Sequence, residues 1–505
     1  MATPLPTNEA AFTVAQIVLA TGGRALAPAD GVGKSVVTDS RAVAAGSIFV
    51  ALRGENHDAH AYLDQVLAQR PFAIVVSQDV AAPTGVAVIR VEDTLQALGD
   101  LAHAHAARMR AEGALRVVIG VTGSVGKTST KEMLALGLRN GRPAGSVAAT
   151  AGNLNNLIGV PMTLLALTPE VEIAIVEMGM NVPGEIARLA EIAAPDLGVV
   201  TSVAAAHTEG VATLARIAEE KSSLLRALSP RAIGAVAPAD DDAIEPFLAD
   251  VKAPLLRAGR AEGADVRLTD RATRWDGTHA SVTLPEPMAT GSLAERTVRF
   301  HLPLFGEGAA KNAATAIATG LLLGGPDEAR RIASALLSIA PTAGRLAFLR
   351  GTRSTVLLDD SYNASPRAMD NALETAAELA HHTGGRLVAV LGDMLELGAL
   401  EKDLHARVGE TAARLGASLL VTCGTSMRAA AEEARELGAD FVVDLDDPLD
   451  AIEVVRQFVR RGDVIVVKGS RGLRMERVVS ALTSRGSSPP FDLSADLSDE
   501  SEGAA

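Results

Sequence analysis

The chain has little sulfur chemistry and no segment suited to a lipid bilayer. Cys423 is its single cysteine, which excludes an internal disulfide framework and a cysteine-rich metal site, and suits a reducing cytoplasm. No apolar run reaches the ~18 to 20 residues of a membrane span. The apolar stretch Ala10 to Ala20 has no Lys or Arg before Arg24 and carries Glu9 where a signal peptide would be positive, so it is expected to form an amphipathic first helix. Positive charge is also in short supply: 47 basic against 61 acidic residues give a formal charge of −14, which argues against a general binder of nucleic acid or membrane surfaces. An anionic substrate must then find local basic pockets. No internal repeat is visible.

What is present is length and alternation. A chain of 505 residues exceeds one ordinary core, and about three domains are expected. Abundant Ala, Gly and Val, with 48% hydrophobic residues, indicate a soluble, well-packed α/β protein. Short apolar runs at 172–179, 197–203, 354–360, 386–394, 418–424 and 463–470 alternate with helical stretches, a pattern that predicts parallel sheets flanked by helices. Most of these runs end in polar residues or glycine, and open α/β sheets bind ligands beyond the carboxyl ends of their strands. The helical stretch 92–113 reads as a connector, and 340–348 marks a second break. The tail 486–505 contains five acids and no bases and is expected to be disordered.

The stretch "VVIGVTGSVGKTSTKE", Val117 to Glu132, has the order strand, glycine-rich turn, helix. In a P-loop, backbone N–H groups and the helix N-terminus cradle phosphate oxygens, a Lys meets the outer phosphates and a Ser or Thr hydroxyl binds Mg²⁺. Lys127 and Thr128 suit those two roles. The strict eight-residue pattern fails because Val121 stands at its first glycine, leaving Gly123-x-x-Gly126-Lys127-Thr128, which an ordinary glycine turn would also satisfy.

Longer strings decide between these readings. "TAGNLNNLIGVPMTLL" (150–165), "IVEMGMN" (175–181), "AAAHTEG" (204–210), "LLDDSYNASP" (357–366), "LGDMLELG" (391–398) and "VKGSRG" (467–472), in that order, resemble the Mur ligases, the ATP-dependent amide-forming enzymes of peptidoglycan precursor synthesis. "TDSRAVAAGSIFVALRGENHDAH" (38–60) is similar to the UDP-sugar-binding module of that family. The resemblance runs from about residue 12 to 483. It implies an α/β fold of three domains: an N-terminal UDP-substrate-binding module (1–112), a central P-loop ATPase domain with a parallel-rich sheet (113–339) and a Rossmann-like C-terminal domain (340–485), followed by the tail.

The same resemblance implies an activity: addition of D-alanyl-D-alanine to UDP-N-acetylmuramoyl-tripeptide, with ATP and Mg²⁺, through an acyl phosphate. Either meso-diaminopimelate or L-lysine suits the tripeptide's third position. A sister ligase adding the third amino acid is disfavoured by "GNLNNLIGVPMTLL", a folylpolyglutamate synthase by the "DSR" module, and a noncatalytic nucleotide-binding regulator by intact Lys127, Thr128, Glu177 and His207. Thr122, Gly123, Ser124, Val125, Gly126, Lys127, Thr128 and Ser129 are then expected around the ATP phosphates, joined by Arg345 from the domain junction. Asp360 and Tyr362 are expected at the ribose and base. Glu177 and His207 match metal-site positions, with Thr128. Lys221, in "ARIAEEKSSLL", matches a lysine that carbon dioxide can carbamylate into an anionic metal ligand. Asn153, Asn155, Asn156 and Asn363 are expected to orient the peptide, and Asp39, Ser40, Arg41, His57 and Asp58 to contact the UDP-sugar. Asp393, Glu396 and Lys468 are assigned to the region of domain closure. One departure stands out: Gly308-Ala309 replaces a common His-Asn, although Asn312 is retained. Relatives suggest a monomer.

Overall fold

The computed structural model describes residues 3–54, 57–81, 83–204, 213–274, 276–286, 288 and 292–484. Its strands form three large sheets. In chain order, the strands from Arg24–Ala27 to Ala87–Arg90 supply a five-stranded sheet, those from Val117–Thr122 to Thr297–Leu302 a nine-stranded one, and those from Ala347–Arg350 to Val464–Lys468 a six-stranded one. The tail 486–505 lies outside the described residues. Among the described residues no helix is long and apolar enough to cross a membrane.

In the nine-stranded sheet, Val117–Thr122 lies between Leu197–Val200 and Ile173–Glu177, all parallel. Ile119, Ile175 and Val199 on these strands are fully buried, each worth about 1.5–3 kcal/mol relative to exposure. This register sets Glu177 level with Val121, and Val200 level with Thr122, so three strand ends open together beside the glycine-rich turn. The far side of the sheet becomes antiparallel through Val266–Arg274, Gly277–Thr283 and Thr297–Leu302. In the C-terminal sheet, Val356–Asp360 and Leu387–Gly392 flank Val464–Lys468 in parallel, which brings Asp360 beside Lys468.

The expected first helix is shorter than its apolar stretch. Ala11–Phe12 pair as a strand with Gly33–Lys34, and the helix Val14–Thr21 begins only after Thr13, which forms a capping box with Gln16. The cap satisfies the first free amides locally, so helix growth starts there. The connector forms one helix, Thr94–Ala111, capped by Asp93.

Candidate active site

The turn after Val117–Thr122 can be built only with glycine at two positions. Gly126 has φ +90°, and a Cβ there would lie 2.2 Å from Asn312 Oδ1. Gly123 has φ +148°, and its Cβ would lie 2.0 Å from Thr201 Oγ1. Neither space nor backbone conformation admits a side chain. The loop is fixed from the neighbouring strand end: Ser124 N–H donates to Ser202 O at 2.8 Å, Ser124 Oγ to Ala204 O at 2.8 Å, and Val125 N–H to Ser202 Oγ at 2.9 Å. The helix Lys127–Arg139 that follows has no side-chain cap, which leaves first-turn amides for an anion. Lys127 Nζ donates to Gly123 O at 2.6 Å. Burial, then repulsion from Arg345, lowers its pKa, against the attraction of Glu177.

Beside the loop a buried carboxylate gathers polar groups. Glu177 Oε1 accepts from Asn155 Nδ2 at 2.9 Å and from Thr128 Oγ1 at 3.2 Å, while Oε2 has no hydrogen-bond partner among the described residues and lies 4.0 Å from Lys131 Nζ. The Glu177 carboxylate and the adjacent Thr128 hydroxyl are hard oxygen donors that fit Mg²⁺. Lys221, also buried, contributes to the same cavity. Burial is the main cause of its strongly lowered pKa; the charge of Lys127 adds to it and Glu220 opposes it. Both burial and Lys127 favour the neutral amine, the form that reacts with carbon dioxide.

These groups line one side of a cavity of about 330 Å³ whose other side comes from the C-terminal sheet. There two guanidinium groups stand over the Tyr362 ring, Arg345 at 4.5 Å and Arg471 at 5.5 Å from its centre. Lys468 Nζ donates to Asp360 Oδ2 at 2.5 Å and to Asn363 O at 2.8 Å. The two sides are also tied outside the cavity, by Arg271 to Glu378 at 2.9 Å and by Arg367 to Asp241. A glycine cradle, an uncapped helix start and cations from both sides make the cavity suited to a polyphosphate.

Comparison with known proteins agrees with this geometry. Residues 121–320 match the Mur ligase middle domain, and 344–471 the Mur ligase glutamate ligase domain. The chain is 36% identical over 457 residues to the UDP-N-acetylmuramoyl-tripeptide--D-alanyl-D-alanine ligase of Escherichia coli K12, covering 90% of this chain and 94% of that enzyme. The chain belongs to the Mur ligase family. A crystal structure of MurF from Acinetobacter baumannii superposes with a TM-score of 0.81 at 29% identity, covering 95% of this chain and 99% of that one. The MurF ligase of Thermotoga maritima, solved in complex with ADP, gives 0.73 at 27% identity over 88% of this chain and 96% of that one.

Within this Mur ligase the anticipated residues fall into separate groups. Ser124 to Ser129, Asn153, Asn155, Asn156, Glu177, Lys221, Asn312, Arg345, Asp360, Tyr362, Asn363 and Lys468 line the one cavity. Thr122 is buried behind the loop, its hydroxyl donating to Met178 O at 2.8 Å. His207 lies outside the described residues. Asp39, Ser40, Arg41, His57 and Asp58 lie apart, on the N-terminal module. There Asp39 caps the turn Ser40–Ala42 and pairs with Arg41 at 2.6 Å, and Arg41's hydrogen bonds lower its pKa. Asp58 caps Ala59–Tyr62 and meets His60 Nδ1 at 2.6 Å; the backbone N–H of His60 is the first cause of its lowered pKa. His57 is exposed.

Asp393 and Glu396 do not reach the cavity. Asp393 instead accepts the Met427 N–H at 2.8 Å, and burial raises its pKa. Two features in and beside the cavity escaped the sequence reading. Fully buried Lys131 donates to Thr150 O at 2.7 Å, tying the asparagine loop to the P-loop helix. Its position four residues after Lys127, on the same helix face, was the available signal. Asn371 faces the start of the helix Glu307–Ala335, 3.4 Å from where a Cβ on Gly308 would stand. Nothing in its local sequence marks it, because the contact depends on how two domains meet.

Proposed function

We infer that this chain is the ATP-dependent ligase that joins D-alanyl-D-alanine to UDP-N-acetylmuramoyl-tripeptide, giving the UDP-linked pentapeptide of peptidoglycan synthesis with ADP and phosphate. The observation that carries the reading is the buried Glu177 carboxylate. It meets Thr128 of the phosphate loop and Asn155 of the asparagine loop, so the nucleotide and peptide sides share one anchor.

Making an amide from a carboxylate and an amine requires a better leaving group than hydroxide. A carboxylate oxygen of the tripeptide attacks the terminal phosphorus of ATP and ADP leaves. The amine of D-alanyl-D-alanine then attacks the acyl carbon, loses a proton, and phosphate departs. In this reading the loop amides from Gly123 to Thr128 hold phosphate oxygens, and Lys127 turns from Gly123 O to the outer phosphates. Arg345 adds positive charge from the opposite side. Catalysis is then mainly positioning and charge neutralisation. Mg²⁺, held by Thr128 and Glu177 and assigned also to His207 and carbamylated Lys221, supplies charge neutralisation at the phosphates when bound. Asn153, Asn155, Asn156 and Asn363 orient the peptide, and Asp360 and Tyr362 face the nucleoside. Asp39, Ser40, Arg41, His57 and Asp58 take the UDP-sugar.

Domain ranges 1–112, 113–339 and 340–485 are assigned to substrate, ATP and closure functions, and three separate sheets support the division. The enzyme is read as a cytoplasmic monomer. Tripeptide labelled with ¹⁸O in its terminal carboxylate tests the route: one label should appear in each phosphate released. Unlabelled phosphate, formed alongside pentapeptide, would overturn the acyl phosphate.

A further inference from the structure

The antiparallel end of the central sheet carries a second group of side chains that the ligase chemistry does not use. Asp276 lies in the tight turn between Val266–Arg274 and Gly277–Thr283. That turn is pressed against the edge strand: Gly277 has φ +130°, and a Cβ on it would lie 2.0 Å from Leu302 O. His279 and His301 are directly opposed partners on neighbouring strands, so they share a face. Their sequence neighbours Ala280 and Phe300 point into the core, which puts both histidines on the other face, where each is half-buried.

The two imidazoles stack with centres 4.1 Å apart and planes 12° from parallel. Both turn the same nitrogen toward one residue. His279 Nε2 is 2.9 Å from Asp276 Oδ1 and 3.1 Å from Oδ2, and His301 Nε2 is 3.5 Å from Oδ2 and 3.1 Å from the Asp276 carbonyl oxygen. Among the described residues, this is the only group of three His, Cys, Asp or Glu whose ligand atoms all lie within 4.8 Å of one another.

Those separations match the spacing of ligands around a small tetrahedral ion. With metal–nitrogen and metal–oxygen bonds of about 2.0–2.1 Å, ligand atoms stand roughly 3.3 Å apart, and the two stacked rings must splay so that both Nε2 lone pairs meet one ion. Two imidazoles and one carboxylate favour Zn²⁺ and its neighbours over Mg²⁺, which prefers an all-oxygen shell. The one carboxylate supplies a negative charge for a dication, and a metal-bound ring would carry its proton on Nδ1. We propose that Asp276, His279 and His301 form a binding site for a zinc-class divalent ion, with water at the fourth position. The ion pins the turn to the edge strand Thr297–Leu302, which runs through Pro303 into Leu304 and Phe305 at the cavity wall.

The test uses the untagged full chain, stripped with a chelator and kept in excess Mg²⁺ so that hard oxygen sites are filled. Titrated Zn²⁺ should bind with micromolar or tighter affinity and raise the melting temperature, and Co²⁺ should give the visible bands of four-coordinate geometry. His279→Ala with His301→Ala should abolish the bands and weaken Zn²⁺ binding at least about a hundredfold, more than the usual cost of losing a metal site's supporting contact. The single change His301→Gln, which keeps a hydrogen-bond donor beside Asp276, should also lose the bands, and serves if the double variant does not fold. Wild-type protein that takes up no Zn²⁺, or variants with unchanged stoichiometry and spectrum, would overturn the site.

Discussion

At the level of single residues, Lys127 and Lys221 sit in environments that oppose their charge. Lys127→Ala removes the cation while Gly123 and Gly126 still shape the loop. Ligase activity should fall on the order of a thousandfold with an unchanged far-ultraviolet circular dichroism spectrum. A folded variant with near-normal activity would remove the phosphate role. Lys221→Ala should lose most activity and regain part of it with added formate or acetate, which restores an anionic oxygen in the vacated space. Full activity without rescue would count against the carbamate. Residue roles were legible to different degrees. Lys127, Thr128 and Glu177 could be read because each ends or follows an apolar strand. Lys131 could not, because its value lies in a carbonyl 19 residues away, at Thr150.

At the scale of elements, the phosphate turn depends on close approach. Gly126→Ala would force a methyl group into Asn312 at positive φ, so the loop must shift. Nucleotide affinity, measured by calorimetry, should drop about tenfold or more for a cost of roughly 1–3 kcal/mol; unchanged affinity would show that the turn is not the binding element. A second element-level prediction concerns the C-terminal sheet. Asp463 is fully buried and takes two contacts from the Arg386 guanidinium, at 2.7 and 3.1 Å. Burial opposes its ionisation, but hydrogen bonds from Arg386 and Arg460 outweigh burial and hold its pKa below the ordinary carboxylate value. The unfolded chain therefore binds this proton at higher pH than the native state. The stabilisation is present above the ordinary carboxylate value and is lost as pH falls through the lower folded one. Asp463→Asn should cost about 2 kcal/mol at neutral pH, in denaturant titrations, with the gap from wild type closing in acid. The parallel strands were legible because they are buried on both faces and read as unbroken apolar runs. The strand Val266–Arg274 was not, since its sequence "VRLTDRATR" alternates core residues with exposed charge and carries an irregular register near Leu268. Asp393 also follows a strand, as ligand residues do, but it lies off the cavity and its carboxylate accepts the Met427 N–H.

At the scale of the whole molecule, the cavity exists only where two domains meet, and the ion pairs Arg367 to Asp241 and Arg271 to Glu378 hold that meeting. Asp241 is buried and its partner and the second pair are largely buried, so these pairs should hold the free protein together and ligands should add to the closure. An ATP analogue with UDP-tripeptide should reduce the radius of gyration in small-angle scattering, and Arg367→Ala with Arg271→Ala should enlarge it in the free protein. No change in either experiment would mean that these contacts do not govern closure. The central claim, that one site couples ATP to amide formation, is tested most directly by phosphate release. With ATP, Mg²⁺, UDP-N-acetylmuramoyl-tripeptide and D-alanyl-D-alanine together, phosphate and pentapeptide should appear in equal amounts, and omission of D-alanyl-D-alanine should stop sustained release. Steady phosphate release without it, or none with the complete mixture, would contradict the account.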